Sequence, residues 1–225
     1  YLEANGMGDG IALNDSVYTS AIDTINSLDV SNKLIQTIEG IQNFTDLIIL
    51  KCGNNLLTSL SLTDNLFLDI LECNNNYLSS INLSQNNNLS LLNCNDNLLL
   101  SLDLSNNFAL LILNCNNNQL ISLDLRNGNN INMLINITLN PNLSCISVDD
   151  TTLANANWTI SNGNIDQQHY FSTNCPPPSA IQEHTINKEL LKVTDLLGRE
   201  TKGKTNEPLF YIYDDGTVEK RIIIE

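Results

Sequence analysis

The six cysteines are the residues of this 225-residue chain best equipped for chemistry. A thiol can be a nucleophile, a metal ligand, half of a disulfide or a small core residue. Cys52, Cys73, Cys94 and Cys115 are each 21 residues apart. A fixed period places such residues in a line, whereas zinc needs a tetrahedron, and the chain has no CxxC pair. Strand neighbours about 4.8 Å apart permit a disulfide in principle, but their side-chain vectors seldom suit one. A ladder of buried thiols fits the spacing best. His169 and His184 lie outside the repeat with no evident Cys or Ser partner and read as surface or loop residues. Asp149-Asp150 and Asp214-Asp215 could act as carboxylate dyads, yet each falls where a turn favours Asp. Asp9, Asn14 and Asp15 are a weak calcium candidate without EF-hand spacing. No other cofactor or metal is indicated. The motifs HExxH, GxSxG and the dinucleotide fingerprint are all absent. The reading is a protein without catalytic residues.

Aligning on the four cysteines brings the rest of the chain into register. Leu47, Leu68, Leu89 and Leu110 open each unit, and Leu50, Leu71, Leu92 and Leu113 follow three residues later. Asn55, Asn76, Asn97 and Asn118 come three after the cysteine, then Leu57, Leu78, Leu99 and Leu120. The unit is LxxLxCxxNxLxxLxLSxNxx. This period and leucine spacing predict a leucine-rich-repeat solenoid, mainly β, whose coils share one core because no single coil can bury its own leucines. LxxLxC supplies a strand for a parallel sheet. The second half of the unit repeats the same spacing, which predicts a second extended segment on the opposite side. A fifth unit starts at Ile131 and Leu134, has Asn136 at the cysteine position and decays at Asn140-Pro141. The units at both ends depart from the pattern, as capping units do.

Composition narrows the partners. Ten Lys+Arg against 25 Asp+Glu give a formal net charge of −15. That argues against nucleic acid, which needs a basic footprint, and against docking on anionic lipid. No apolar run approaches the roughly 20 residues of a membrane-spanning helix, so no membrane insertion is expected. The chain begins at Tyr1 with no basic-then-apolar leader, which suggests a mature secreted product or a fragment.

An asparagine recurring at one position of a solenoid can hydrogen-bond backbone groups of its own coil and the next. Asn55, Asn76, Asn97 and Asn118 are the expected ladder, with Asn65, Asn86 and Asn107 as a possible second; Asn54, Asn75 and Asn117 read as solvated turn residues. Cys145 and Cys175 break the period and flank a non-repetitive segment. A disulfide between them would staple a C-terminal cap onto the last coil in an oxidising compartment.

The residues beside the inward Leu and Cys should face water. One column is Ile49, Ile70, Leu91, Ile112 and Met133; the next is Lys51, Glu72, Asn93, Asn114 and Ile135. A contiguous exposed apolar stripe marks a contact surface, so the first column together with Glu72, Asn93 and Asn114 forms the candidate binding face. Leu56, Tyr77, Leu98, Leu100 and Ile121 also look outward. Trp and Tyr, which stack on sugars, are scarce there, so a protein partner fits better than carbohydrate.

Three blocks resemble the secreted leucine-rich-repeat proteins of Bacteroidetes, particularly marine flavobacteria. YLEANGMGDGIALNDSVYTSAIDTINSLDVSN resembles their N-terminal cap, the 21-residue units their repeats, and LSCISVDDTTLANANWTISNGNIDQQHYFSTNC their cap with a cysteine at each end. The tail pieces VTDLLGRE (193–200) and LFYIYDDGTVEKRIIIE (209–225) resemble the C-terminal sorting signal of the type IX secretion system. This implies engagement of that export machinery and an extracellular or outer cell-surface location. Asp15-Ser16-Val17 and Asp23-Thr24-Ile25 resemble the bacteroidete O-glycosylation motif.

The expected organisation is an N-terminal cap (1–40), the solenoid (41–145), a C-terminal cap (146–175), a proline-containing linker (176–184) and a β tail (185–225). In that tail Leu190 to Thr194, Leu209 to Tyr213 and Thr217 to Ile224 are strand-like. The expected role is non-enzymatic protein–protein interaction or adhesion. The alternative is a self-assembling extracellular fibre or coat subunit joined through the C-terminal strands and apolar faces.

Overall fold

The computed structural model describes residues 18–176, 190–195, 199–201, 208–213 and 218–222. The chain forms two compact units, Tyr1–Pro178 and Ser179–Glu225. Among its described residues the first contains ten short strands: β1 (Ser27–Asp29), β2 (Ile49–Lys51), β3 (Ile70–Glu72), β4 (Leu91–Asn93), β5 (Ser101–Asp103), β6 (Ile112–Asn114), β7 (Ser122–Asp124), β8 (Leu134–Asn136), β9 (Cys145–Ser147) and β10 (Tyr170–Ser172). They make two parallel sheets, ordered β1-β2-β3-β4-β6-β8 and β10-β9-β7-β5. Successive coils pair without slippage, Leu50 opposite Leu71, Leu71 opposite Leu92 and Leu92 opposite Leu113. The fold is a leucine-rich-repeat β-solenoid with little helix.

The two sheets follow from the doubled pattern inside each unit. Leu47, Leu50 and Cys52 of one half-coil point inward with Leu57, Leu60 and Leu62 of the other, and all are buried. Burying these rows gives one continuous core along the stack. The second sheet is thinner at its start, where the first and second coils are joined by an isolated parallel bridge between Ser61 and Asn82.

The first sheet begins earlier than the cap boundary at residue 40 implies. SLDVSN (27–32) supplies β1, which pairs with β2 through Leu28 opposite Leu50. Its near-copies SLDLSN (101–106) and SLDLRN (122–127) supply β5 and β7 of the other sheet. The hexapeptide therefore specifies a strand and its turn but not which sheet receives it.

The fifth coil corrects the expected register. Ile112 pairs with Leu134, and Leu113 with Ile135. Met133, expected in the outward column, is buried, 4% exposed. Leu134, expected inward, is 70% exposed, and Ile135 is buried, so Asn136 takes its outward place. Ile137, not Asn136, occupies the cysteine position, and Asn140 is equivalent to Asn118, a spacing of 22 rather than 21. The extra residue is absorbed where Gly128 adopts φ 75° and Asn130–Asn132 form a 3-10 turn.

The C-terminal cap closes the core. A helix, α1 (Thr151–Asn157), is capped by Asp150, whose carboxylate accepts from the amides of Thr152 (2.7 Å) and Leu153 (3.1 Å). Buried Trp158 donates its indole N–H to the Met133 carbonyl at 3.1 Å and packs against Phe171, centroids 5.7 Å apart. Cys145 and Cys175 form a disulfide. His169 is buried, not a surface residue. It sits on the turn before β10, and its Nδ1 accepts from the Asp166 amide at 3.1 Å. Burial lowers its pKa, opposing the Asn140 carbonyl and the Asp166 carboxylate.

The second unit contains an antiparallel sheet of β11 (Leu190–Thr194), β12 (Pro208–Tyr213) and β13 (Val218–Ile222), with β12 in the centre. Asp9, Asn14, Asp15, Asp214, Asp215 and His184 lie outside the described residues, as does the motif at residues 15–17.

Candidate functional site

The outward face of the first sheet is built from two columns. Residues alternate across a strand, so the inward leucine of each three-residue strand leaves its neighbours facing water. The first column is Ser27, Ile49, Ile70, Leu91, Ile112 and Leu134, in strict register. Its five aliphatic members span five adjacent strands. Ile49, Ile70 and Leu91 are half-buried by their neighbours, while Ile112 and Leu134 are exposed. Ile48 and Leu111, exposed at the strand entrances, widen the stripe. The second column is Asp29, Lys51, Glu72, Asn93, Asn114 and Asn136, all polar. Lys51 Nζ and Glu72 lie 2.9 Å apart, and that pairing raises the Lys51 pKa. The face is an apolar stripe beside a polar one.

The opposite sheet presents a different surface. Ser101 and Ser122 align outward, as do Asp103 and Asp124, and the second column continues through Ser147, which the cap buries, to Ser172. Partial burial works to raise the Asp124 pKa, but Arg126, contacting it through guanidinium and backbone amide, holds it low. Leu98, Leu100, Tyr77 and Ile121 are exposed and Leu56 is half-buried. Thr24 is exposed.

The cysteines at positions 52, 73, 94 and 115 are free thiols with no solvent exposure. Burial raises every one of them, Cys52 to about 12 and Cys73 and Cys94 well above the ordinary thiol value. A thiol so far from ionisation is a poor nucleophile. Among the described residues no group of three His, Cys, Asp or Glu gathers to hold a metal ion.

The asparagines fix the turns that hold the face. Asn76 donates to the Cys52 and Cys73 carbonyls, both at 3.1 Å, and accepts from the Leu57 amide at 2.9 Å. Asn97 does the same with Cys73, Cys94 and Leu78, and Asn118 with Cys94, Cys115 and Leu99. Asn55 opens this ladder on Val30 and Cys52, and Asn140 closes it on Cys115 and Ile137. Asn65, Asn86 and Asn107 form a second ladder of donors: Asn86 bonds the Leu62 and Asn65 carbonyls and Asn107 those of Leu83 and Asn86. Asn54, Asn75, Asp96 and Asn117 are left-handed, φ 52–55°, a conformation that Asn and Asp tolerate. Their type is therefore a backbone requirement as well as a solvent preference.

No family model and no curated relative matches the sequence. Solved structures do share the fold. The functional domain of InlJ from Listeria monocytogenes, which includes a cysteine ladder, is similar at TM-score 0.51 and 28% identity, over 59% of this chain and 32% of that one. A leucine-rich-repeat protein of Leptospira interrogans gives TM-score 0.45 at 21% identity, covering 57% of this chain and 32% of that chain. An internalin of L. monocytogenes gives 0.43 at 22%, covering 71% and 44%. This chain spans less than half the length of each of them.

Proposed function

We propose that this chain is a non-enzymatic leucine-rich-repeat scaffold, displayed at or beyond the cell surface, that binds a protein through the outward face of its first sheet. The apolar column Ile49, Ile70, Leu91, Ile112 and Leu134 carries the reading. A continuous apolar stripe with a polar neighbour is the composition of a protein contact surface. The Cys145–Cys175 disulfide fits an oxidising compartment outside the cytosol. The likeness of the tail to a type IX sorting signal supports export by that machinery, and the likeness to Bacteroidetes proteins supports a bacterial surface. The shared fold with InlJ favours a binding scaffold over an enzyme.

Self-assembly into a fibre or coat is the second reading. It rests on the C-terminal sheet, where the outer side of β11 is already paired at Thr194 with Glu200 but β13 is, among the described residues, an edge strand that another copy could extend.

A photo-reactive amino acid placed at Leu91, or at Ser101 on the opposite sheet, tests both readings. Cross-linking from position 91 to a different protein supports the scaffold, and a product of twice the chain mass supports self-assembly. Equal yields from 91 and 101 would remove the first sheet as the binding face.

A further inference from the structure

We infer that a recess at the entrance of β2 and β3 receives the lysine or arginine side chain of a protein partner. The inference rests on the scaffold reading above and names the chemistry of its partner. The recess is shallow and open to solvent, about 500 Å³, and its lining includes Asn26, Asp46, Ile48, Phe67, Asp69 and Asn88. Phe67 is its departure from the repeat. The same position in the other coils holds Asp46, Asn88 and Ala109, all small or polar. A phenyl ring 58% exposed there is not needed by the core, which Leu68 already fills.

Two carboxylates flank the ring. Asp69 directly precedes Ile70 of the apolar column, and one of its oxygens accepts from the Ser90 hydroxyl, leaving the other open. Asp46 is held in place by its own amide, which donates to the Asp23 carbonyl at 3.2 Å. No lining residue is basic. Of the described cations of the solenoid, Lys33 acts on Asp29, Lys51 is engaged by Glu72 and Arg126 by Asp124. A lysine or arginine suits this arrangement from stem to head. Its methylenes cover Ile48 and the Phe67 face, and its charge meets the ring quadrupole and the carboxylates. A bare metal ion would gain nothing from the phenyl group. The recess also continues the apolar column, since Ile48 and Asp69 directly precede Ile49 and Ile70. One partner segment with a cation beside aliphatic residues could fill both.

The test is fluorescence anisotropy on the full chain. The probe is a labelled pentapeptide alternating isoleucine with one lysine and one arginine; its control carries glutamate at both charged positions. Saturable binding of the cationic peptide alone is expected. It should weaken about tenfold or more in Asp46→Asn/Asp69→Asn and several-fold in Phe67→Ser, because one such contact corresponds to about 1 kcal/mol or more. These side chains lie at the surface, so unchanged circular dichroism and Tm exclude a folding effect. Equal affinity for both peptides, equal affinity of the double variant, or no saturable binding would overturn the inference. The cross-linking experiment at position 91 separates this test from the scaffold reading. A protein cross-link there with a negative peptide result overturns the recess alone. Peptide binding that depends on Asp46 and Asp69 supports the recess whatever position 91 yields.

Discussion

The two halves of each coil carry the same pattern of inward residues and do not fold alike. In the first half, the asparagine amide is used at both ends: Asn97 bridges two coils through its nitrogen, and its oxygen accepts from Leu78. In the second half, Asn65, Asn86 and Asn107 donate equally well, yet their side-chain oxygens are buried without a hydrogen-bond partner. The first turn passes through a left-handed residue at Asn54, Asn75, Asp96 and Asn117; the corresponding Asp64, Gln85 and Asn106 have negative φ. The first half has cysteine where the second has Leu62, Leu83, Leu104 and Leu125. Equal spacing thus produces one turn whose polar groups are fully paired and one with a polar deficit. The better-determined half follows the sheet that bears the proposed binding face.

The largest expected effect separating the halves is alkaline. Burial raises each folded thiol pKa above its unfolded value. The resulting stabilisation is complete below the unfolded pKa near 8.5 and is lost as pH rises beyond it. Each thiol should remove about 1.4 kcal/mol per pH unit, roughly 5 kcal/mol for the four together. Urea unfolding from pH 8 to 10.5 should show this fall, and Cys94→Ala should flatten the slope by about a quarter. A slope unchanged by Cys94→Ala would mean that the thiols do not act separately from the rest of the core.

Next come the ladders themselves. Asn97→Ala takes one of two ladder donors from each of the Cys73 and Cys94 carbonyls, which keep Asn76 and Asn118, and leaves the buried Leu78 amide unpaired; it should cost about 2–4 kcal/mol. Asn86→Ala takes one donor from each of the Leu62 and Asn65 carbonyls, which still accept from the Asn65 and Leu68 amides, and also removes an unsatisfied oxygen, so about 1–2 kcal/mol is expected. Equal losses in denaturant titrations would break the comparison. Opening the Cys145–Cys175 loop, 30 residues apart in sequence, should cost about 3–4 kcal/mol. That loss should appear first as faster hydrogen exchange in β9 and β10, the cap end of the second sheet. The smallest effect concerns the turns. Asn75→Ala, at φ 52°, should cost about 1 kcal/mol. Gln85→Ala, its counterpart in the second half, should cost close to nothing.

Much of this architecture was legible. Four cysteines and their leucines at one period fixed the coil, the inward rows and the outward column as far as Ile112. Legibility ended where the period did. One additional residue before Met133 reversed the inward and outward roles of Met133 and Leu134, and periodicity cannot locate an insertion that a glycine turn absorbs. SLDVSN could not be assigned to a sheet, because strand and turn chemistry are local while sheet choice depends on the neighbouring coil. His169 looked like a loop residue and is one, but its burial arises from the folding of the cap over Asn140, which no spacing encodes. The recess beside Phe67 was equally silent. Its only trace was an aromatic residue where the other coils place Asp46, Asn88 and Ala109.

The central claim is that the first sheet binds and the second does not. The direct measurement is the affinity of the full chain, with Leu91→Lys/Ile112→Lys or with Ser101→Lys/Asp103→Lys, for the protein captured by cross-linking at position 91. The account predicts a loss of about a hundredfold in the first variant, as when central interface residues are disrupted, with Tm unchanged and the second variant binding as the native chain. Native affinity in the first variant, or a comparable loss in the second, would contradict it.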